Sequence, residues 1–327
     1  MRRWIRRLAA ALVVLALAVA AVLVLGPREP VDTRIDFDPA AIGDDIDAYL
    51  ARREARFDDI TPGVQKRVVW AGEKGARTHW AVVYLHGYSA TSEEIRPVPD
   101  RVAAVLGANL FYTRLAGHGR PGAALGRVTA GDWIEDLAEA MEIGRRLGEK
   151  VLILSTSTGG TLATVAAADP QLSQGLAGIV FISPNFKVAD PAAALLSLPF
   201  VRIWGPWVAG AEQSWEPRNE GQARYWTTRY PTVALVPMQA LVDYVAGIDK
   251  SRLTVPALFI YSPEDKVVSP AATEAVARAW GGPKRIEKRH MGPGDDPMSH
   301  VIAGDIMSPG QTDETVAIIL DWVRGLE

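Results

Sequence analysis

The sequence contains no cysteine. That absence removes disulfides, thiolate nucleophiles and cysteine-based zinc sites. Histidine is scarce, five in 327 residues, and none stands in a clustered ligand spacing with acids, so no metal is expected. A surplus of positive charge is missing too. With 35 Lys and Arg against 38 Asp and Glu the net charge is -3, which gives no electrostatic case for nucleic acid. There is no P-loop pattern, so no nucleotide cofactor is expected. Repeats and low-complexity tracts are also lacking, which counts against solenoid and disordered readings.

What is present begins with an unusual N-terminus. Residues 1–7 hold four arginines and no acid, and Leu8 to Leu25 is an apolar run without a polar side chain. Eighteen residues of helix rise about 27 Å, close to the thickness of a hydrocarbon core. The expectation is a basic cytoplasmic segment over 1–7, a transmembrane signal anchor over 8–25 and a linker over 26–38, with everything beyond outside the cytoplasm. Cleavage near Ala18-Val19-Ala20 is the alternative, and it would make the protein secreted.

Residues 39–327 alternate short β-like runs with helical patterns, the mark of a mostly parallel sheet flanked by helices. Strands are expected over Gln65–Trp70, His79–His86, Ala108–Arg114, Val151–Leu154, Gly178–Ser183, Pro256–Ser262 and Lys284–Arg289. Helices are expected near Ile95–Leu106, around Trp133–Met141, and over Thr158–Ala168, Ala271–Trp280 and Asp313–Arg324. An insertion at about 184–250 carries Phe200, Trp204, Trp207, Trp215, Tyr225, Trp226 and Tyr230 among prolines and glycines. It reads as a cap whose rings either line a cleft for an acyl chain or pack the cap onto the main domain.

The strongest chemical signal is Ser155-Thr156-Ser157-Thr158-Gly159, set between a buried strand and a helix of small residues. This is the strand–turn–helix setting of a nucleophile elbow, with serine where glycine is usual at the first position. Ser157 is the candidate nucleophile, and the helix N-terminus lends positive potential to a developing oxyanion. The oxyanion donors expected in such a site are the N–H of Thr158 and that of Tyr88, in His86-Gly87-Tyr88 after an earlier strand. His86 and His118 read as loop braces, and His79 carries no role. Asp265, in Ser262-Pro-Glu-Asp265, is the candidate acid with Glu264 as rival. His290 and His300 are both candidate bases, and spacing alone does not separate them.

Leu85-His-Gly-Tyr-Ser-Ala-Thr91, Gly117-His-Gly119, Ser155-Thr-Ser-Thr-Gly159, Ser262-Pro-Glu-Asp265 and Ser299-His300 follow one another as in α/β hydrolases. Over about residues 68–325 the chain resembles the monoglyceride-lipase-like esterase and serine-aminopeptidase-like branch. The resemblance implies an α/β-hydrolase fold, a triad of Ser157, Asp265 and His300, and Tyr88 and Thr158 as oxyanion donors. It does not fix the substrate, because the branch contains lipases, esterases and peptidases. The expected function is hydrolysis of a small, lipid-like or medium-chain carboxylic ester through an acyl-enzyme. The alternatives are a serine aminopeptidase that holds a free amine on Glu212, Glu216 or Glu220, a non-catalytic binding protein on the same fold, and acyl transfer to an acceptor other than water.

Overall fold

The computed structural model describes Arg2–Leu326. Its sheet has seven strands: β1 (Arg67–Val69), β2 (Thr78–Leu85), β3 (Asn109–Tyr112), β4 (Gly148–Thr156), β5 (Leu176–Ile182), β8 (Ala257–Tyr261) and β9 (Lys284–Lys288). Two short strands, β6 (Glu212–Ser214) and β7 (Arg229–Pro231), form a separate hairpin. The order in the large sheet is β1-β3-β2-β4-β5-β8-β9, and every pairing is parallel except β1 with β3.

The alternation of side chains along these strands divides the core in two. Ala81, Val83, Leu85, Val151, Ile153, Phe181 and Phe259 enter one buried layer. Trp80, Val82, Tyr84, Leu152, Leu154, Val180 and Ile260 enter the other. Both faces are covered, which is why the strands read as continuous apolar runs rather than as alternating ones. This is the mostly parallel, helix-flanked α/β fold that the sequence pattern implies.

Differences from the sequence expectation lie at element ends. β4 begins three residues early, because Gly148 and Lys150 pair with Thr78 and Trp80 although neither is apolar. β3 stops at Tyr112, where Thr113 Oγ1 donates to the Tyr84 carbonyl (2.9 Å) and Arg114 turns to the buried Glu54 (2.7 Å). The helix expected from about Ile95 starts at Val98.

Between β5 and β8 lie the β6–β7 hairpin and the helices Val201–Ala209, Glu220–Tyr225 and Leu235–Ala246. The N-terminal helix Arg2–Leu25 has no buried residue and a mean hydropathy of 3.1 over its apolar window, so it is a candidate membrane span. The segment after it is docked on the domain: Val31, Ile35 and Phe37 pack on the core, and the Asp36 N–H donates to Glu135 (2.6 Å). Three apolar side chains in an otherwise polar stretch account for this docking.

Candidate active site

β2 lies between β3 and β4, so the chain runs to one side of β2 and then crosses to the other. Such a reversal opens a crevice at the carboxyl ends of the two strands. The loop after β2 and the turn after β4 both end there.

β4 gives way at Thr156 to the helix Thr158–Ala168, and Ser157 is the single residue between them, with φ 50° and ψ -116°. A non-glycine residue held there stores about 1–3 kcal/mol of strain. Two bonds pin it: the Ser157 N–H donates to the Ile182 carbonyl (3.1 Å), and the Ser157 carbonyl accepts from the Asn185 N–H (2.9 Å). Gly159 is obligatory, since a Cβ there would lie 2.0 Å from the Leu85 oxygen. Serine is tolerated at 155 because its hydroxyl points into the sheet and donates to the Val180 carbonyl (2.8 Å). The departure from glycine therefore leaves the bend intact.

The loop after β2 comes hard against this turn. A Cβ at Gly87 would lie 3.1 Å from Ser157 Cβ and 2.6 Å from Glu94 Oε1. Among the described residues, neither the Tyr88 nor the Thr158 N–H donates to a backbone or side-chain acceptor. His86 is wholly buried and neutral, burial pushing it down to about 4. Its Nδ1–H donates to the Gly87 carbonyl (2.9 Å), while Nε2 accepts from the Leu115 N–H (3.1 Å). That arrangement is a brace. His118 is likewise buried, held well below the ordinary histidine range by burial and by His86. His79 pairs with Glu149 on the surface (3.0 Å).

The two acids and two histidines left open by the sequence sort into two pairs. Asp265 Oδ2 accepts from His300 Nδ1 at 2.8 Å, with both side chains buried. Asp265 Oδ1 accepts the N–H groups of Val267 (2.8 Å) and Val268 (2.9 Å), which fixes the carboxylate plane. Glu264 instead takes His290 Nδ1 at 2.8 Å on the exposed surface. Burial works against a charged His300, but the charge and hydrogen bond of Asp265 prevail and hold its pKa above the ordinary value. With Nδ1 committed, Nε2 is the nitrogen left for the cavity. No hydrogen bond of 3.5 Å or less joins Ser157 Oγ to His300 among the described residues, although both line one cavity. Catalytic hydrogen bonds commonly tighten only around substrate.

Sequence reasoning missed two acids here. Asp296 is buried and accepts the N–H groups of His300 (3.0 Å) and Val301 (2.9 Å), which holds the histidine loop. Glu94 is 2% exposed, and its Oε2 accepts the Gly87 N–H (2.7 Å) and the Tyr84 hydroxyl (3.0 Å). Burial pushes Glu94 up to about 7, despite the Gly87 bond and the field of His300, which act the other way. The signal was faint: Glu93 beside it pairs with Arg67 and Arg96, so residue type alone does not tell the two apart.

The cavity shared by Ser157 and His300 has a volume of about 760 Å³. Its walls are mainly apolar, with Val188, Leu235, Met238, Val268 and Met307 among them, and Glu94, Glu216, Arg218 and Asp296 as the ionisable residues. Of the aromatic residues in the inserted segment, Trp215 and Tyr230 line it. Trp226 and Tyr225 pack on the core instead, whereas Trp207 faces outward. The rings of the segment thus divide between lining the cavity and packing against the core.

Residues 76–288 match the model of the family described as "Serine aminopeptidase, S33". No curated protein matches the sequence. Similar solved structures include a lipolytic enzyme from the metagenome-derived LipS and LipT pair, 22% identical, covering 81% of this chain and 99% of its own, at a TM-score of 0.64. The monoacylglycerol lipase of Paleococcus ferrophilus is 16% identical, covering 80% and 100%, at 0.57. A soluble variant of the monoglyceride lipase of Saccharomyces cerevisiae is 12% identical, covering 82% and 96%, at 0.58. At these identities the likeness shows a shared fold. The chain belongs to the serine aminopeptidase family of the α/β-hydrolase superfamily.

Proposed function

We propose that the protein is a serine hydrolase cleaving carboxylic esters of lipid-like or medium-chain acids. The observation that carries this is the strained Ser157 opening onto the same apolar cavity as a histidine whose far nitrogen is held by a buried carboxylate. Ser157 Oγ attacks the ester carbonyl and its proton passes to His300 Nε2, while Asp265 stabilises the imidazolium. The N–H groups of Tyr88 and Thr158 bind the oxyanion. Collapse expels the alcohol, which takes the proton from His300. Water then attacks the acyl-enzyme, giving its proton to His300, and the acid leaves as Ser157 regains a hydrogen.

The remaining organisation is part of the same reading. Residues 8–25 anchor the chain in a membrane with the arginines of 1–7 on the cytoplasmic side, and residues 39–327, capped by about 184–250, work outside. A peptidase is the second reading, favoured by the family's description and by the Glu216 carboxylate in the cavity wall. Purified full-length protein should hydrolyse a series of p-nitrophenyl esters and leave aminoacyl-nitroanilides largely intact. Faster turnover of the nitroanilides would favour the peptidase, and no turnover of either by folded protein would favour a binding role.

A further inference from the structure

The helix Val201–Ala209 is apolar on the side facing away from the protein as well as on the side packed against it. Val201 and Gly205, one turn apart, are buried, whereas Ile203, Trp207 and Val208 are 67, 89 and 70% exposed. Phe200 and Leu195 extend the patch. Helices facing water put polar residues outward, and a contiguous exposed apolar patch marks a surface that meets something else.

The patch begins where the apolar N-terminal helix ends. A Cβ on Gly26, the residue after that helix, would lie 2.6 Å from Pro199 Cβ and 3.1 Å from the Phe200 ring. The Phe200 N–H donates to the Pro27 carbonyl (3.0 Å). Two bonds of 2.6 Å each join the Arg202 guanidinium to the Glu29 carboxylate. The exit of the helix is thus clipped to the start of the outward-facing one.

We propose that this patch is seated in a phospholipid bilayer, the same one the N-terminal helix crosses, with Phe200, Ile203, Trp207 and Val208 in its interfacial layer. The inference rests on reading 8–25 as a membrane anchor, and not on the catalytic reading. A helix with eighteen apolar residues ends near the hydrocarbon boundary, so a side chain touching Gly26 sits at that depth. Tryptophan belongs at this level, where an apolar ring and a polar N–H meet different media. A short apolar face lying in the interface then adds a second attachment to the span, the usual way in which membrane seating is made firm.

Because the chain has no cysteine, single thiols can be placed without background. Full-length Ile203→Cys, Trp207→Cys, Val208→Cys and, as control, Glu73→Cys would carry a nitrobenzoxadiazole label in phosphatidylcholine–phosphatidylglycerol vesicles. Glu73 is exposed in the turn preceding β2, at the end of the sheet opposite the one from which the inserted segment departs. The expected result is blue-shifted emission, lost when the lipids carry bromine near the headgroup, at 203, 207 and 208 but not at 73. Should Trp207→Cys fail to fold, Val208→Cys serves alone. Water-like emission at 207 and 208 from a chain that resists carbonate extraction would overturn the proposal. So would emission insensitive to bromine but accompanied by energy transfer between labelled copies, which would assign the patch to a second copy of the chain. Adding Ser157→Ala should change none of this, so failure of the catalytic reading would be visible separately.

Discussion

Two histidine–carboxylate pairs lie close together in the sequence, and both close at 2.8 Å. Asp265–His300 has side-chain exposures of 1 and 10%, and Glu264–His290 of 51 and 70%. The bond length is the same, so it does not tell them apart. Water and salt screen the exposed pair, which is worth little and leaves its ring free to move. The buried pair cannot be rehydrated, so its carboxylate fixes the orientation and tautomer of the ring and favours its charged form. The difference teaches that the catalytic candidate is found by environment, after residue type and distance have tied.

Substitutions at the two pairs should break that symmetry most strongly. His300→Ala or Asp265→Asn is expected to lower kcat/KM for esters by about 10³-fold or more, from the behaviour of comparable triads. His290→Ala and Glu264→Ala should each change it less than about twofold, the range of screened surface pairs. Loss confined to the exposed pair would transpose the assignment. Next in size is Asp296→Ala, which frees the backbone of His300. A displaced base should cost about 10- to 100-fold, mainly in kcat, with folding retained by circular dichroism.

The pH profile sharpens the contrast through Glu94. Activity should rise with pH as His300 loses its proton, at a value above that of an ordinary histidine because Asp265 favours the imidazolium. Glu94 is neutral below about 7 and charged above it, next to the turn proposed to hold the oxyanion. The wild-type profile should therefore sag on the alkaline side. Glu94→Gln keeps an acceptor for Gly87 and Tyr84 but cannot ionise, so it should exceed the wild type by about threefold at pH 9, the size of a modest charge interaction. Stability follows the same sign. Because the folded state raises the pKa of Glu94 from 4.5 to about 7, its stabilising contribution is complete below 4.5 and is lost as pH climbs through 7. The thermal midpoint should accordingly fall less between pH 5 and 8 in Glu94→Gln than in the wild type. An unchanged profile in the variant would reduce Glu94 to a packing residue. The smallest effect is expected for removing the exposed pair altogether: Tm should shift by less than about 2 °C.

Much of the fold was legible because strands covered on both faces leave a strong mark: Val82 and Val83 in β2 or Val180 and Phe181 in β5 are apolar whichever layer they enter. The bend at Ser157 was legible for a steric reason, since Gly159 has no alternative under the Leu85 carbonyl. Pairing of acids with histidines was not legible from spacing, and only the resemblance implied Asp265 with His300. Asp265 and Glu264 are neighbours of like charge, and only the path of the 291–300 loop decides which histidine each meets. Glu94 and Asp296 were hidden because their work is to accept backbone N–H groups, a task set by three-dimensional approach and not by spacing. Docking of the 26–38 segment was not legible, because charge and proline dominate it, yet three apolar side chains suffice to hold it on the core.

The most direct test is covalent. Wild-type protein treated with a fluorophosphonate and digested should yield a single adduct on the peptide containing Ser157. Ser157→Ala should take up no label, and His290→Ala should label at the wild-type rate while His300→Ala labels far more slowly. An adduct on another serine, or undiminished labelling of Ser157→Ala, would contradict the account.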